Sequence, residues 1–325
     1  MKVVILDDYQ DVVRGLSCFN LLADHDVSIY NTPFTSQDEL VECLKEAEAL
    51  VLIRERTVID DALLARLPNL TLISQTGKIS NHLEVDACTR HKVAIAEGRG
   101  SPVSPSELCW SIIMASSRHI VPYVNNFQNG TWQSAGGFGL GRNLNGLTLG
   151  IWGYGKIGQR IARYAKAFDM DVLVWGRDAS QKNAHEEGLN VAASKAELFA
   201  HSDILSLQLR LNENTRDCVT ASDLAQMKSD ALLVNTSRAE LIEKEALYNA
   251  LIAGRPGFAA VDVYAQEPAN ASNERLLSLP NVLATPHLGY VEKNGYELYF
   301  QVAFENVVKF AQGKPENIAN QSALD

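Results

Sequence analysis

The sequence predicts an α/β protein made of two domains, each built on a doubly wound parallel sheet. Short apolar runs alternate with helical patterns along nearly the whole chain, which is typical of parallel strands joined by crossover helices. The length of 325 residues exceeds the ~250–300 residues at which a single hydrophobic core stops growing. Residues 98–105 interrupt the alternation with glycines and prolines, which indicates a crossover or hinge between the domains.

The first half of the chain is predicted to form one sheet and its connecting helices. Predicted strands cover residues 2–6, 27–30, 49–53, 70–74 and 93–96, and predicted helices cover residues 12–22, 36–46 and 60–66. Ser36 is the expected N-cap of the second helix because Glu39 follows three residues later, which gives a capping box.

The second half begins with a long predicted helix over residues 106–128, in which Pro122 would introduce a kink. Predicted strands then cover residues 147–152, 172–175, 204–209, 231–235, 257–263 and 282–284, with helices after the first of them, over residues 243–253 and over residues 294–312. The last helix would return to the first half. Ligands of such sheets bind beyond the carboxyl ends of the strands, so polar residues there are the candidates for function.

Composition narrows the classes of function. The net charge of −10 gives no electrostatic support for nucleic-acid binding. The five cysteines include no C-x-x-C pair, so reduced thiols in a cytoplasmic protein are expected rather than a disulfide framework or a metal site. No apolar run approaches the ~18 residues of a membrane helix, so no membrane partner is expected.

Residues 147–178 carry the strongest motif of the chain. After the apolar strand, Gly153, Gly155 and Gly158 give the pattern G-x-G-x-x-G, and a helical pattern and a second apolar run follow. In a βαβ unit the first glycine permits a tight turn, the second lets a pyrophosphate approach the backbone, and the third lets the helix pack against the strand. The larger domain is therefore predicted to be a Rossmann domain that binds a dinucleotide at the start of this helix.

The identity of the dinucleotide depends on the residues after the strand at 172–175. NAD-binding domains usually place an acid there, where it binds the ribose 2′-hydroxyl; here Gly176 is followed by Arg177 and Asp178. In a tight turn Arg177, with Lys182 as a further candidate, would face the ribose and a 2′-phosphate would be accepted, whereas in a wide turn Asp178 would return to the hydroxyl. The glycine leaves room for a phosphate, so the sequence favours NADP slightly over NAD.

Three polar residues at or beyond strand ends suit hydride transfer to a carbonyl group. His287 follows the last strand and can protonate a developing alkoxide near neutral pH. Arg238 follows the strand at 231–235, and its guanidinium can bind a 2-oxo carboxylate through two hydrogen bonds. Glu267 can hold the imidazole in its orientation. The structural alternatives are a surface arginine and a glutamate that caps a loop.

Four motifs of the chain occur in one order: Gly153-Tyr154-Gly155-Lys156-Ile157-Gly158, Asn235-Thr236-Ser237-Arg238, Ala260-Val261-Asp262-Val263 with Glu267-Pro268, and Thr285-Pro286-His287-Leu288-Gly289. In this order they resemble the D-isomer-specific 2-hydroxyacid dehydrogenases, and the D-3-phosphoglycerate dehydrogenase-like branch in particular. The resemblance covers nearly the whole chain. It implies a substrate-binding domain of residues 1–100 plus about 290–325 and an NAD(P)-binding domain of residues 101–289.

The resemblance also implies roles for individual residues. Arg238 would bind the substrate carboxylate and carbonyl, His287 would act as the acid–base, and Glu267 would orient it. The cofactor would be bound by the glycine-rich segment, by the residues after the second strand at its ribose, and by further residues near its nicotinamide. These residues are Gly153, Tyr154, Gly155, Lys156, Ile157, Gly158, Gly176, Arg177, Asp178, Thr236, Ser237 and Asp262. The substrate would also contact Arg54, Gly77 and Lys78 of the smaller domain.

Three departures from the family pattern stand out. The second glycine of the usual G-x-G at Gly77 is missing, and Lys78 either adds a cation for a second anionic group or only reshapes the loop. Gln208 replaces the usual histidine, and Arg210 stands where proline is common. The sequence ends at Asp325, so the C-terminal regulatory domain of longer phosphoglycerate dehydrogenases, and feedback through it, is not expected.

The resemblance implies an NAD(P)-dependent D-2-hydroxyacid dehydrogenase that transfers hydride reversibly between a nicotinamide and a small 2-oxo or 2-hydroxy acid. A glyoxylate or hydroxypyruvate reductase is the nearest alternative. A cofactor-sensing scaffold similar to the family's transcriptional corepressors is the alternative of another class. The family is usually dimeric, so a homodimer is expected through the helix at about 106–128.

Overall fold

The computed structural model describes residues 1–34 and 36–325, and these residues divide into two compact units. Unit 1 comprises Met1–Ser101 and Glu292–Asp325, and unit 2 comprises Pro102–Val291. The chain therefore leaves unit 1 after Ser101 and returns to it after Val291. The first of these crossings lies within the glycine- and proline-rich segment 98–105.

Unit 1 is organised around a parallel sheet. The described residues before Pro102 form β1 Lys2–Ile5, β2 Asp26–Ile29, α1 Gln37–Leu44, β3 Ala49–Leu52, α2 Asp61–Leu64, β4 Leu72–Gln75, α3 Val85–Arg90 and β5 Ala94–Ala96. The strand order is β2-β1-β3-β4-β5, and every neighbouring pair is parallel. Ser36 caps α1, since its hydroxyl accepts a hydrogen bond of 3.2 Å from the amide of Glu39.

Unit 2 is organised around a larger parallel sheet. Its elements are α4 Val103–Ser117, α5 Ile120–Gln128, β6 Thr148–Trp152, α6 Lys156–Ala167, β7 Asp171–Trp175, α7 Asp178–Glu186, β8 Asn190–Val191, α8 Lys195–His201, β9 Ile204–Leu207, α9 Ala221–Leu224, β10 Leu232–Asn235, α10 Ala246–Ile252, β11 Phe258–Val261 and β12 Val282–Ala284. The order is β12-β11-β10-β9-β6-β7-β8, again with parallel pairs. The order reverses between β6 and β9, which is where doubly wound sheets open a ligand crevice. The predicted fold class is confirmed.

The sheet of unit 2 is buried on both faces, as parallel sheets with crossover helices generally are. Successive side chains of a strand point to opposite faces. Accordingly, Leu232 and Val234 of β10 enter one apolar cluster, together with Ile161 of α6. Leu233, between them in sequence, enters the other cluster with Phe199 of α8. Two cores thus fix the register of the strand ends that carry the polar residues.

After Val291 the chain returns to unit 1 as α11, Lys293–Ala311. This helix packs on β4: the hydroxyl of Ser74 donates to the carbonyl of Ala303 at 2.8 Å. Phe300 and Phe304 of α11 are fully buried. Neither α11 nor any other helix in the described part of the chain combines the length and apolar character needed to cross a membrane.

The helix predicted over residues 106–128 is instead two helices. α4 ends at Ser117 and α5 begins at Ile120, and His119 between them has left-handed backbone angles (φ 50°, ψ 38°). The prediction of a kink at Pro122 is therefore wrong, because the break lies at His119. Pro122 lies in the first turn of α5, where its missing N–H has no intrahelical partner to lose.

Two other predicted helices differ in the structure. The helix predicted over residues 12–22 is wrong, since the chain forms 3₁₀ turns at Val13–Gly15 and Ser17–Leu22 on either side of an extended Leu16. Gly15 lowers the helix propensity there by about 1 kcal/mol relative to alanine. The helix predicted over residues 243–253 starts only at Ala246, because Glu245 adopts a left-handed conformation (φ 62°).

Candidate active site

The glycine-rich turn after β6 has the geometry that a bound dinucleotide requires. Gly153 has φ +101°, and a Cβ on it would lie under 3.0 Å from the carbonyl oxygen of Gln208. A Cβ on Gly158 would collide in the same way with the carbonyl oxygen of Gly153. Nothing lies within 4 Å of a Cβ on Gly155. Two of these positions are therefore closed by the protein's own backbone, and the third leaves room for a ligand to approach.

The N-terminus of α6 lies at this turn. Gly155 is the N-cap and Lys156 is the first helical residue, so the first amides of the helix lie at the carboxyl end of β6. Unsatisfied N–H groups and the positive end of the helix dipole favour phosphate at this point. The side chain of Lys156 is exposed. These features together fit the pyrophosphate of a dinucleotide.

Tyr154 differs from its neighbours in this turn. Its side chain is buried, and its hydroxyl donates to Oε2 of Glu187 at 2.6 Å. Burial, followed by this carboxylate, raises the pKa of Tyr154 well above its usual value. The side chain is therefore part of the packing of unit 2, and only the backbone of Tyr154 is available to a cofactor.

The residues after β7 lie beside the same turn. A Cβ on Gly176 would lie 3.8 Å from Cα of Gly153 and 3.1 Å from Cβ of Ser180. Arg177 is the N-cap of α7, with extended backbone angles (φ −66°, ψ 160°), and Asp178 is the first helical residue. Both side chains are exposed. Asp178 therefore lies at the N-terminus of α7, where the helix dipole stabilises its negative charge. Arg177 directly follows Gly176.

His287 and Glu267 form the central pair of the candidate site. Nδ1 of His287 lies 2.7 Å from Oε2 of Glu267, and Oε1 of Glu267 accepts a hydrogen bond of 3.1 Å from the amide of Tyr264. Only 17% of the histidine side chain and 24% of the glutamate side chain are exposed. A carboxylate at Nδ1 favours the tautomer with its hydrogen on that nitrogen, which leaves Nε2 for proton transfer. The ring of Tyr290 packs edge-on against the imidazole, with 5.4 Å between ring centroids.

Asp262, directly after β11, holds the turn that carries His287. Its Oδ1 accepts hydrogen bonds from the hydroxyl of Thr285 (2.6 Å) and the amide of Leu288 (2.7 Å), and its Oδ2 accepts from the amide of Gly289 (2.9 Å). His287 has a left-handed backbone (φ 51°), a conformation that costs a non-glycine residue roughly 1–3 kcal/mol. The bonds on both sides of His287 maintain this conformation.

The carboxylate of Asp262 is fully buried. Burial raises the pKa of Asp262 above its usual value, while the bonds from Thr285 and Leu288 partly oppose this shift. The resemblance implies a position for Asp262 near the nicotinamide; the structure adds an anchoring role that was not predicted from the sequence. The hydrogen bond between Asp262 and Leu288 joins residues that are 26 positions apart in sequence, so no local sequence pattern could have revealed this role.

Arg238 lies in a turn after β10 that is fixed by Asn235. The side-chain amide of Asn235 donates to the carbonyl of Arg238 at 2.8 Å, and its Oδ1 accepts from the amide of Ser237 at 3.1 Å. The hydroxyl of Ser237 donates to the carbonyl of Leu207 at 2.8 Å, which ties the turn to β9. Nη1 of the half-buried Arg238 donates to the carbonyl of Ser237 at 2.6 Å. The guanidinium is therefore held near the carboxyl edge of the sheet.

A polar cluster beneath the strand ends, formed by Cys109, Ser206 and Gln208, was also not predicted from the sequence. Nε2 of Gln208 donates to the hydroxyl of Ser206 at 2.9 Å, and Sγ of Cys109 lies 3.5 Å from the same hydroxyl. Burial raises the pKa of Cys109 to about 11, against hydrogen bonds from Ser206 and Thr236 that lower it. The only sequence signal for this cluster was the glutamine at position 208, where the family usually has histidine.

Within residues 1–34 and 36–325, no group of three or more His, Cys, Asp or Glu side chains could hold a metal ion.

The substrate residues expected in the smaller domain lie in unit 1. A Cβ on Gly77 would overlap the guanidinium of Arg54, so the glycine lets this side chain lie across the backbone after β4. The amide of Arg54, which has a left-handed backbone (φ 57°), donates to the hydroxyl of Thr76 at 3.1 Å. Nζ of Lys78 lies 2.5 Å from Oε2 of Glu97, whose Oε1 accepts from the amide of Ile79 at 3.2 Å. The structure thus brings Arg54 and Gly77 into contact and pairs Lys78 with a carboxylate.

Comparison with known proteins identifies the family of the chain. The family model described as D-isomer specific 2-hydroxyacid dehydrogenase, NAD binding domain, matches residues 110–289. A glyoxylate reductase of Aeropyrum pernix is 34% identical over 88% of this chain and 87% of its own length. A D-3-phosphoglycerate dehydrogenase of Methanocaldococcus jannaschii is 30% identical over 88% of this chain and 54% of its own length. The crystal structure of a phosphoglycerate oxidoreductase from Vibrio cholerae O395 has a TM-score of 0.95 and 60% identity, covering 96% of this chain and 99% of that one.

Two glycine substitutions should separate folding from ligand binding at the turn. Gly158→Ala places its methyl group against the Gly153 carbonyl, so we expect a loss of about 1–3 kcal/mol in the free energy of unfolding. Gly155→Ala has open space and a permitted φ of −86°, so stability should change by less than about 0.5 kcal/mol. Its methyl group should nevertheless weaken dinucleotide binding by roughly tenfold or more, because it lies where the pyrophosphate approaches.

Denaturant unfolding and calorimetric titration with ADP-ribose measure the two effects, and each variant serves as the control for the other. Wild-type ADP-ribose affinity in Gly155→Ala would show that no pyrophosphate approaches this residue.

Proposed function

This chain belongs to the D-isomer-specific 2-hydroxyacid dehydrogenases, and from that premise we propose that it transfers hydride reversibly between NAD(P) and a small 2-oxo or 2-hydroxy acid with His287 as the acid–base. The observation that carries the proposal is the 2.7 Å contact between His287 and Glu267. The pair lies within the residues matched by the family's NAD-binding domain, as do Arg238 and the glycine-rich turn. A nicotinamide supplies the hydride when it is bound.

The residues of the chain supply the proton and the orientation. In the direction of reduction, Nε2 of protonated His287 gives its proton to the oxygen of the substrate carbonyl. Glu267 stabilises the protonated imidazole through Nδ1 and keeps the ring in position. In the direction of oxidation the neutral imidazole takes the proton back from the hydroxyl group. The buried setting of the pair strengthens these electrostatic effects, since less water screens them.

Substrate binding is proposed for residues of both units. Arg238 would bind the carboxylate and carbonyl of the acid, supported by its turn at the end of β10. In unit 1, Arg54 and the backbone at Gly77 are proposed as substrate-binding residues, supported by their mutual contact. Lys78 would act through loop shape, because its ammonium group already has Glu97 as a partner.

Among possible acids we propose the class reduced by phosphoglycerate dehydrogenase-like enzymes, with glyoxylate and hydroxypyruvate as alternatives. The relatives carry these names. Initial rates with glyoxylate, hydroxypyruvate and 3-phosphohydroxypyruvate, each with NADH and NADPH, test the proposal. Cofactor binding without turnover of any 2-oxo acid would instead indicate a cofactor-sensing scaffold.

For the cofactor we propose a slight preference for NADP over NAD. Gly176 lies beside the glycine turn, since a Cβ on it would be 3.8 Å from Cα of Gly153, and Arg177 follows it directly and is exposed. Asp178 is the competing group, because a carboxylate near the ribose would repel a 2′-phosphate and favour the free hydroxyl. Its place in the first turn of α7 gives it a favourable interaction with the helix dipole instead.

We also propose a homodimer that works in the cytoplasm. α5 contains no buried residue, and it exposes Val124 and Phe127. Trp132, which is 72% exposed, packs against Phe127 with 5.6 Å between ring centroids. The dimer surface would therefore be α5 and the loop after it, rather than α4, whose Cys109 and Ile113 are buried within unit 2.

The proposed location in the cytoplasm is supported by the cysteines. All five are free thiols, which suits a reducing compartment.

Replacing the proposed acid should abolish most of the chemistry but not cofactor binding. We expect His287→Ala to lower kcat by about 10²-fold or more, because general acid–base catalysis contributes about 10²–10⁴-fold. Steady-state kinetics on the best acid of the panel and titration with the reduced cofactor measure the two quantities. His201→Ala, which removes an exposed histidine of the same unit, is the control. Wild-type kcat in His287→Ala would refute the catalytic assignment.

Replacing the carboxylate partner should change the pH dependence of the reaction. Glu267→Gln keeps the shape of the side chain but removes the negative charge that stabilises protonated His287. Reduction needs this proton, and without the carboxylate less of the enzyme keeps it, so the descending limb of the kcat/KM profile should move to lower pH. The profile is measured from pH 5 to 9 at saturating cofactor. An unmoved limb would mean that Glu267 does not act on the acid.

Replacing the arginine after β7 should affect one cofactor selectively. Arg177→Ala should weaken NADPH by about 1.5–3 kcal/mol, the value of a charge-assisted hydrogen bond, and leave NADH nearly unchanged. Values of kcat/KM and dissociation constants for both cofactors provide the test. Lys166→Ala, which removes an exposed cation from the last turn of α6, controls for a general loss of positive charge. Equal losses with NADH and NADPH would indicate a structural arginine and favour NAD.

A further inference from the structure

The backbone of Arg54, shortly after β3 in unit 1, is strained. Arg54 has φ +57°, a left-handed conformation that glycine adopts freely and that costs other residues free energy. Such a conformation persists only where the surrounding groups hold it, and it is found most often at functional sites. The groups that hold Arg54 are therefore candidates for a role in function.

Two side chains at the end of the neighbouring strand hold this backbone. Nε2 of Gln75 donates to the carbonyl of Arg54 at 2.7 Å, and the hydroxyl of Thr76 accepts a hydrogen bond of 3.1 Å from the amide of Arg54. Gln75 and Thr76 are both buried. They come close to Arg54 because β4 pairs with β3, with Gln75 opposite Leu52. Both backbone polar groups of Arg54 are thus bonded by two consecutive residues.

A histidine fixes the side chain of Gln75 in turn. Oε1 of Gln75 lies 3.3 Å from Nε2 of the buried His82. The carbonyl oxygen of an amide side chain only accepts hydrogen bonds, so His82 donates from Nε2. The carbonyl of His82 accepts a hydrogen bond of 2.8 Å from the amide of Ile59. One buried glutamine therefore joins the segment after β3 to the segment after β4.

The guanidinium of Arg54 lies over Gly77. A Cβ on Gly77 would overlap Nη1 of Arg54, so a side chain at position 77 would displace the guanidinium. Nη2 lies 3.6 Å from Oε1 of Glu55, and only 20% of the arginine side chain is exposed. The guanidinium is thus held at the carboxyl ends of β3 and β4, the edge at which parallel sheets bind ligands.

We infer that Gln75 and Thr76 are positioning residues for the substrate, because they hold Arg54 in the conformation that binds the anionic acid. The inference rests on the proposed substrate role of Arg54. Glycine at position 54 would form the same turn without strain and without a buried glutamine. The strain is explained if a guanidinium has to be presented at a fixed point, since its planar fork binds a carboxylate only in a narrow range of orientations.

Steady-state kinetics on the best acid of the panel test the positioning. Gln75→Leu removes the donor to Arg54 and keeps a side chain of similar size, and Thr76→Val removes the hydroxyl. Each should raise KM for the acid roughly five- to fifty-fold, since a displaced binding group costs up to about 10²-fold. The kcat should change little, because the lost contact serves binding. Thr76→Ser keeps the hydroxyl and should restore most of the loss.

Two comparisons separate positioning from a general loss of structure. Ser74→Ala removes another buried hydroxyl of β4, whose hydrogen bond goes to Ala303 of α11. It should lower the melting temperature and leave KM unchanged. Arg54→Ala should raise KM at least as much as Gln75→Leu, and the double variant should show no further rise, because the two residues act as one unit. Unchanged ADP-ribose affinity shows that unit 2 is intact in each variant.

Wild-type KM in either Gln75→Leu or Thr76→Val, or a further rise when Gln75→Leu is added to Arg54→Ala, would overturn the positioning. An unchanged KM in Arg54→Ala would refute the substrate role of Arg54, and the positioning with it. Crystals of Gln75→Leu give a readout that needs no turnover. Arg54 should leave the left-handed region there, and a φ still near +57° would overturn the inference even if no acid were reduced.

Discussion

The carboxylate of Asp262 is fully buried, and it accepts hydrogen bonds from the hydroxyl of Thr285 and the amides of Leu288 and Gly289. A buried carboxylate is costly unless such bonds satisfy it. Here the bonds that satisfy it also hold His287 in a left-handed conformation. The turn and the carboxylate stabilise each other, because removal of either leaves buried polar groups without partners. Gly289 belongs to the same constraint, since a Cβ there would lie 3.2 Å from Oδ2 of Asp262.

This constraint operates because parallel strands end side by side. Val261 pairs with Asn235 of β10 on one side and with Ala284 of β12 on the other. The residues that follow these strands therefore meet at one edge, although they are far apart in sequence. The amide of Thr285 donates to the carbonyl of Val261 at 2.9 Å, which continues the ladder to the start of the histidine turn. The chemistry of the site depends on strand register, and the register depends on the two apolar cores around the sheet.

The sequence predicted those features that depend on local pattern. Alternating apolar runs identified the parallel sheets, and the glycine motif identified the turn after β6. The resemblance supplied the pairing of Glu267 with His287. Features that depend on contacts distant in sequence were not predictable: the Lys78–Glu97 pair joins the ends of two different strands. The left-handed break at His119 was also missed, because backbone conformation there has no signature as strong as the proline nearby.

The route of the chain has a consequence for its synthesis on the ribosome. Unit 2 is one continuous segment, Pro102–Val291, so all of its strands have been synthesised before the last segment of the chain is made. Unit 1 is discontinuous, and its sheet lacks the cover of α11 until Glu292–Asp325 has emerged. The apolar face that α11 covers is thus exposed while unit 2 is translated, a period in which a nascent chain is prone to aggregate. The closing contacts, between β4 and α11, join residues such as Ser74 and Ala303, and such distant contacts form slowly because a long loop must close first.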